Sequence, residues 1–546
     1  MRGEPEANSR TTLAARPGSN RAPDEERALS GLTPAPPGHF LALESLVRKN
    51  RSAALAAASF LLLSGAAIAT APTALAGTPG GTHADDRNSD FDGDGHEDVL
   101  VGAPGATVSG KRGAGLVTVQ YGSTRGIGTS DVARFSQSTA GVAGAAEAGD
   151  GFGAAVATGD LDADGFDDAI VGIPGEDIGD RADAGGVAIL WGSKQGLAGA
   201  ASDWLQTQEP TTGEKFGSAV TAARLTGDTP GDVLAVLDRD DLELFVYDAA
   251  PQARDTAPQA RDAAPFKRLA VKGPTARAEE RHILPKSLTT GDYDDDGFAD
   301  LVVSGVTVGE EEPGHGWSSY FKGGAEAVTH VRDLRGGPAA ASGDLNGDGF
   351  DDLVTGEPHS PDDGGDTLTG GLVGVRYGSA EGVSQDVKWW TQDTAGVPGT
   401  AERGDGWGAD LSVADTNKDG YADVAVGAPG EDIGAVADAG GAWVLRGAAA
   451  GLTATGAKSW DQNSVDIPGA AEKGDKWGAQ VRLTDPNSDG RFGLLASAPG
   501  ENTGDGVVWV LSAGAGGVTA AGSWTYGAGS LGAPAQDAAF GAAIDE

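Results

Sequence analysis

Short apolar runs recur along this chain, and each is announced by a crowd of acids. "DLDADGFDDAIVGIPGED" (160–177) is typical: aspartates fill alternate positions, then an almost uncharged run extends to Gly-x-Pro. A run that short, bounded by turn residues and rich in Val, Ile and Leu, predicts a buried strand rather than a helix. An alternating segment such as "AAVATGD" (154–160) leads into the acids and predicts a second strand. A glycine-bounded run, "GGVAILWGS" (185–193) or "GLVGVRYGS" (371–379), predicts a third. A segment bearing Trp, "SDWLQTQ", "VKWWTQD", "KSWDQNS" or "GSWTYGA", predicts a fourth.

This four-strand unit repeats. Its acidic segments start at 90, 160, 228, 292, 344, 415 and 485, five of them well formed, the one at Asp485 degenerate and the one at Asp228 decayed to "GDTPGDVLAVLD". An aromatic-glycine pair opens most units: Phe152-Gly153, Phe216-Gly217, Trp407-Gly408 and Trp477-Gly478. The units at 292 and 344 carry "ILPKS" and "RGGPA" near that place. Seven like units of four short strands predict an all-β fold, a seven-bladed β-propeller of four-stranded blades. The last pair, Phe540-Gly541, has no acidic segment after it, and the first acidic segment has no pair before it. The C-terminal strand is therefore expected to join the N-terminal blade, closing the ring and covering two sheet edges.

The acidic loops carry the candidate chemistry. Numbering each from its first Asp, acids or Asn fall at positions 1, 3, 5 and 9, with Gly at 6. Alternate oxygen ligands can converge on one centre, Gly at 6 permits the bend, and position 7 would give its backbone carbonyl. Five loops keep the pattern, each read in the order 1, 3, 5, 7, 9. They are Asp90, Asp92, Asp94, His96 and Asp98; Asp160, Asp162, Asp164, Phe166 and Asp168; Asp292, Asp294, Asp296, Phe298 and Asp300; Asp344, Asn346, Asp348, Phe350 and Asp352; Asp415, Asn417, Asp419, Tyr421 and Asp423. An all-oxygen set on a flexible loop selects Ca²⁺ over Mg²⁺, so about five Ca²⁺ sites are expected. Position 12 lies inside a strand (Val101, Val171, Val303, Thr355, Val426), which excludes the helix-loop-helix form. The loop at Asp485 keeps Asp485, Asn487 and Asp489 but has Gly493 at position 9, so weak binding or none is expected there.

Composition agrees. The chain of 546 residues has 89 Gly, 27 Pro and no Cys, with a net charge of −41. Such acidity disfavours nucleic acid and anionic membranes as partners. Without cysteine there are no disulfides, thiolate metal sites or cysteine nucleophiles. The N-terminal region divides into an extension or mis-assigned start (1–47), a signal peptide (48–76) and a linker (77–89). The signal combines Arg48-Lys49-Asn50-Arg51, an apolar stretch from Ala53 to Ala69 and Ala74-Leu75-Ala76. Cleavage is expected, giving secretion with no membrane span left; the competing reading keeps the apolar stretch as a single membrane anchor. The propeller is expected over 90–546, with an inserted loop or bulge at about 249–282.

The aromatic-glycine pair, the DxDxDG loop and "VAVGAPGED" (424–432) together resemble the FG-GAP repeats of the integrin α-chain N-terminal propeller and its secreted bacterial relatives. The resemblance covers about 90–546. It implies calcium in the loops on one face of the ring and a protein partner on the opposite face. Arg403-Gly404-Asp405 spells an adhesive tripeptide but aligns with "AEAGDGFG" (146–153) and "AEKGDKWG" (471–478), so it is read as part of the repeat.

Neither G-x-S-x-G nor H-E-x-x-H occurs, and His83, His96, His282, His315, His330 and His359 share no spacing. The expected function is a secreted, calcium-binding module that takes an unidentified protein or glycan, in adhesion for example. The alternative is a secreted hydrolase of esterase or phosphodiesterase type. A sugar could stack on Trp204, Trp389 or Trp390, though packing between blades is the better reading of those tryptophans.

Overall fold

The computed structural model describes residues 89–545 apart from 200–201, 228–229, 240, 248–263, 271–281, 309–314 and 360–369. The extension, the signal segment, Asp228 and most of the expected insertion lie outside the described residues.

Seven four-stranded antiparallel sheets follow one another along the chain. Blade 2 is representative: Ala155–Gly159, Asp168–Ile173, Gly186–Leu190 and Asp203–Leu205 pair in that order. The acidic loop joins the first strand to the second in blades 2, 4, 5, 6 and 7, so these loops share one end of the ring. In blade 1 the chain supplies only three strands, Val99–Ala103, Leu116–Gln120 and Val132–Phe135. The fourth comes from the C-terminus: Ala543–Ile544 pairs with Gly102 and Val101. The ring closes as the repeat count requires. Blade 7 adds a small hairpin, Ala513–Gly514 with Gly517–Val518.

Blade 3 takes its outer strand, Ala264–Ala270, from within the stretch expected to be an insertion. The edge of Asp241–Val246 needs a partner whatever the local composition, and this segment supplies it.

The inner part of the blades is buried on both faces, which is why second strands read as continuous apolar runs. Asp168–Ile173, Asp352–Glu357 and Asp423–Ala428 are buried at every residue. Seven apolar clusters fill the seven gaps between neighbouring blades. One of them, with Val99, Val101, Leu495, Val508, Tyr526, Phe540 and Ile544, seals blade 7 against blade 1.

The aromatic-glycine pairs sit in these gaps. Phe152, Phe216, Trp407, Trp477 and Phe540 are fully buried. Gly153, next to Phe152, has φ +86°, and a Cβ there would come within 2.9 Å of the Leu116 carbonyl. Only glycine meets both demands. The inner strands surround a cavity of about 370 Å³ whose lining includes Lys286, Thr289, Ser342, Asp410, Gln480 and Arg482.

Candidate metal centres

Position 1 shapes the loop. In blade 2, Asp160 accepts the N–H groups of Asp164 and Gly165, both at 3.0 Å. The same pair of bonds recurs on Asp90, Asp292, Asp344, Asp415 and Asp485. Position 5 stiffens the exit by accepting the N–H of position 7, as Asp164 does from Phe166 at 3.2 Å and Asp419 from Tyr421 at 3.1 Å.

Position 9 fastens the loop to its own blade. Asp168 accepts Leu161 N–H at 3.2 Å with one oxygen and Gly192 N–H at 2.8 Å with the other. Asp98 and Asp352 repeat this on Phe91 and Gly122, and on Leu345 and Gly378. Asp300 takes Gly323 N–H and the Tyr320 hydroxyl. Asp423 takes Thr416, Gly447 and the Arg446 guanidinium. Burial pushes Asp98 up to about 9, Asp352 to about 8 and Asp300 to about 7, against N–H donors that favour the anion. A divalent cation beside them would act in the donors' direction.

Position 8 was passed over in reading the sequence, and it joins blade to blade. Asp167 accepts Ser89 N–H at 2.8 Å and Asp90 N–H at 2.7 Å from the preceding blade. Asp351 does so for Asp292, and Asp232, at the equivalent place before the second strand in the shortened blade 3 loop, does so for Asp160. Glu97 of blade 1 accepts Asp485 N–H and the Thr484 hydroxyl of blade 7, both at 2.7 Å. The backbone adds a parallel series: position 8 donates its N–H to the position 1 carbonyl before it at Asp167, Asp232, Asp351, Ala422 and Phe492. Position 7 rings lie over the neighbouring loop. A Cβ on Gly93 would meet Phe166, and one on Gly347 would meet Tyr421.

In several loops position 3 accepts the N–H of position 5, as Asp92 does from Asp94 at 3.1 Å and Asn487 from Asp489 at 3.3 Å. Oxygens of Asp90, Asp92 and Asp94 lie within 4.8 Å of one another, as do those of Asp160, Asp162 and Asp168, and of Asp292, Asp294 and Asp296. Asp164, Asp98 and Asp300 fall outside these sets. Where position 3 is Asn, Asn346 accepts Asp348 N–H at 2.9 Å, and Asn417 donates to Asp419 at 2.8 Å. Asp162 is fully buried. One oxygen each of Asp294 and Asn417 is buried without a hydrogen-bond partner. A buried acceptor left so is costly unless something else engages it. Hard, oxygen-seeking cations fit this donor set.

The opposite end of the blades carries a second recurrent feature. Gln137 donates to Glu176 at 2.7 Å, Gln392 to Glu431 at 2.8 Å and Gln462 to Glu501 at 2.6 Å, always 39 residues apart. Beside them Asp405 accepts Glu402 N–H and Asp475 accepts Glu472 N–H. Burial, with the neighbouring carboxylates adding, pushes Glu176, Glu431 and Glu501 up to about 7. The signal was present in the glutamines of "WTQD" and "WDQN" but has meaning only beside the glutamates of the next blade. Asp405 is the acid of the adhesive tripeptide, and at 2% exposure it has no reach to a receptor.

Of the three tryptophans considered for sugar, Trp390 is buried in the core between blades 5 and 6. The Arg335 guanidinium lies 4.9 Å from the ring centre of Trp389. Trp204 fills the space left by Gly186.

Ring, acidic loops and inter-blade aromatics define a repeat-built β-propeller with cation-type loops. The FG-GAP repeat family matches residues 88–119, 152–190, 336–370 and 407–445, which fall in blades 1, 2, 5 and 6. The chain carries FG-GAP repeats in those four segments.

Among curated relatives, phosphatidylinositol-glycan-specific phospholipase D of Rattus norvegicus is 31% identical over 147 residues, 27% of this chain and 17% of that protein. Integrin alpha-6 of Gallus gallus is 39% identical over 93 residues, 17% of this chain and 8% of that protein. The chain thus spans less than a fifth of the length of these relatives. Similar solved structures include BBS1N in complex with ARL6DN, soaked with lead, at 13% identity and TM-score 0.36, covering 68% of this chain and 80% of that one. A mutant of AofleA from Arthrobotrys oligospora stands at 12% and 0.34, covering 68% and 85%. Among the described residues no helix is long and apolar enough to cross a membrane.

Proposed function

We propose that this propeller is a calcium-stabilised binding module working outside the cell. Its acidic loops hold Ca²⁺ at one end of the ring, and the opposite end receives a protein or a glycan. One observation supports the calcium reading above the rest: carboxylate oxygens from alternate loop positions converge within 4.8 Å of one another in blades 1, 2 and 4. Positions 1, 3 and 5 would hold the ion, with position 9 in place of position 5 in blade 2. The ion would supply positive charge that turns mutual repulsion of the loop acids into attraction, and it would tighten a junction already shared by two blades. Its role is architectural, so the ligand is met elsewhere.

The likeness to integrin alpha-6 supports adhesion as the setting, and the signal-like segment at 48–76 supports secretion. Binding of Ca²⁺ by the purified chain, measured by calorimetry and by metal analysis, tests the first part. Glycan arrays and proximity labelling at the cell surface test the second.

The likeness to phosphatidylinositol-glycan-specific phospholipase D favours hydrolysis as a second reading. Release of a glycosylphosphatidylinositol-anchored protein from membranes, assayed with and without Ca²⁺, decides it.

A further inference from the structure

The five loops with the full acidic pattern differ in what the end of the third strand places beside them. The residue just before the glycine that donates to position 9 is Tyr121, Trp191, Lys322, Tyr377 or Arg446 in blades 1, 2, 4, 5 and 6. The Tyr121 and Tyr377 hydroxyls turn away to the next blade, accepting Leu197 N–H and Leu452 N–H. Trp191 packs edge-on to Tyr247. Arg446 reaches Asp423, Thr416 and the Gly516 carbonyl, leaving positions 3 and 5 of its loop alone. Lys322 behaves otherwise. Its ammonium hydrogen-bonds Asp294 at position 3 and lies 2.8 Å from Asp296 at position 5. Asp292, at position 1, is taken up by the N–H groups of Asp296 and Gly297.

We propose that Lys322 is a tethered cation standing in the place of the divalent ion, so that the blade 4 loop is held together by the chain's own ammonium and resists Ca²⁺. The proposal rests on the calcium reading for the other loops. An ammonium between positions 3 and 5 occupies the oxygens the ion needs and repels a second positive charge at contact distance. The Lys322 side chain is 37% exposed, so its stem can swing out, and Ca²⁺ competes with it rather than being walled off. A loop free of its lysine only a tenth of the time binds about tenfold more weakly.

The test is a calcium titration of the full-length chain after stripping with EDTA, comparing wild type with Lys322→Met and Lys322→Gln, each checked for the β-sheet circular dichroism of the parent. Both variants should bind one more Ca²⁺ per chain, or bind one ion at least about tenfold more tightly. Lys322→Arg, which keeps the charge, should match wild type, and Asp294→Asn added to Lys322→Met should remove the gained ion. Isotherms of the Met and Gln variants that superimpose on a calcium-binding wild type would overturn the tethered-cation assignment and leave the calcium reading standing. Failure of every chain to bind Ca²⁺ would overturn both.

Discussion

The loops of blade 2 and blade 7 show which acids are architecture. In blade 2, Asp160 organises the turn and Asp168 ties position 2 to the third strand. In blade 7, Asp485 makes the same two turn bonds, to Asp489 N–H at 3.1 Å and Gly490 N–H at 2.6 Å, yet position 9 is Gly493. The loss has a local reason. Position 2 there is Pro486, which has no N–H for an acid to accept. Neighbours take over the anchoring: Ser488 donates to the Gly95 carbonyl, and Lys418 donates to the Asp489 carbonyl. The turn survives without position 9, and it survives without position 8, where Phe492 stands. Position 1 keeps its two turn bonds in both loops, whereas positions 8 and 9 can be lost.

Removing calcium should break this comparison most strongly. At tenfold excess over its dissociation constant each ion stabilises the fold by about 1.4 kcal/mol, so several ions approach the whole stability of many domains. EDTA should lower the melting temperature sharply by calorimetry, with Ca²⁺ restoring it better than Mg²⁺. Next in size come the position 1 acids. Asp160→Ala and Asp485→Ala each orphan two N–H groups and should cost about 2–3 kcal/mol in urea unfolding in EDTA, with a further loss in Ca²⁺ for Asp160, which would also hold the ion. Asp162→Asn should cost more stability in Ca²⁺ than in EDTA; an equal loss in both would remove position 3 from the ion's ligands.

Asp167→Ala should cost about 1–2 kcal/mol independently of metal, by opening the junction between blades 1 and 2. Hydrogen exchange should show faster exchange at the Ser89 and Asp90 amides.

The smallest effect concerns the opposite end of the ring. Glu176, Glu431 and Glu501 have folded pKa values of about 7, raised from 4.5, so the folded chain holds protons that the unfolded chain has lost. Their contribution is greatest below pH 4.5 and falls as pH rises through about 7. The triple glutamate-to-glutamine variant should therefore gain stability relative to wild type between pH 5 and pH 8. A constant difference between the two curves would contradict the shift.

Much of this was legible in the chain. The period, the four strands per unit and the unpaired Phe540-Gly541 determined seven blades and their closure, because each blade's strand order and turns are local and repeated. The alternation of acids with Gly at position 6 determined the loops. Tertiary structure alone decided what each acid does. The partners of position 8 lie in the preceding blade, as Ser89 and Asp90 do for Asp167, 77 or 78 residues away. The ammonium of Lys322 enters from a strand end 28 residues past Asp294, at a place where other blades carry an aromatic ring or an arginine. The outer strand of blade 3 came from a segment whose composition reads as loop, since an unpaired sheet edge outweighs local preference. Repetition fixes the ring, but the charge balance of each loop depends on side chains that only the closed ring brings within reach.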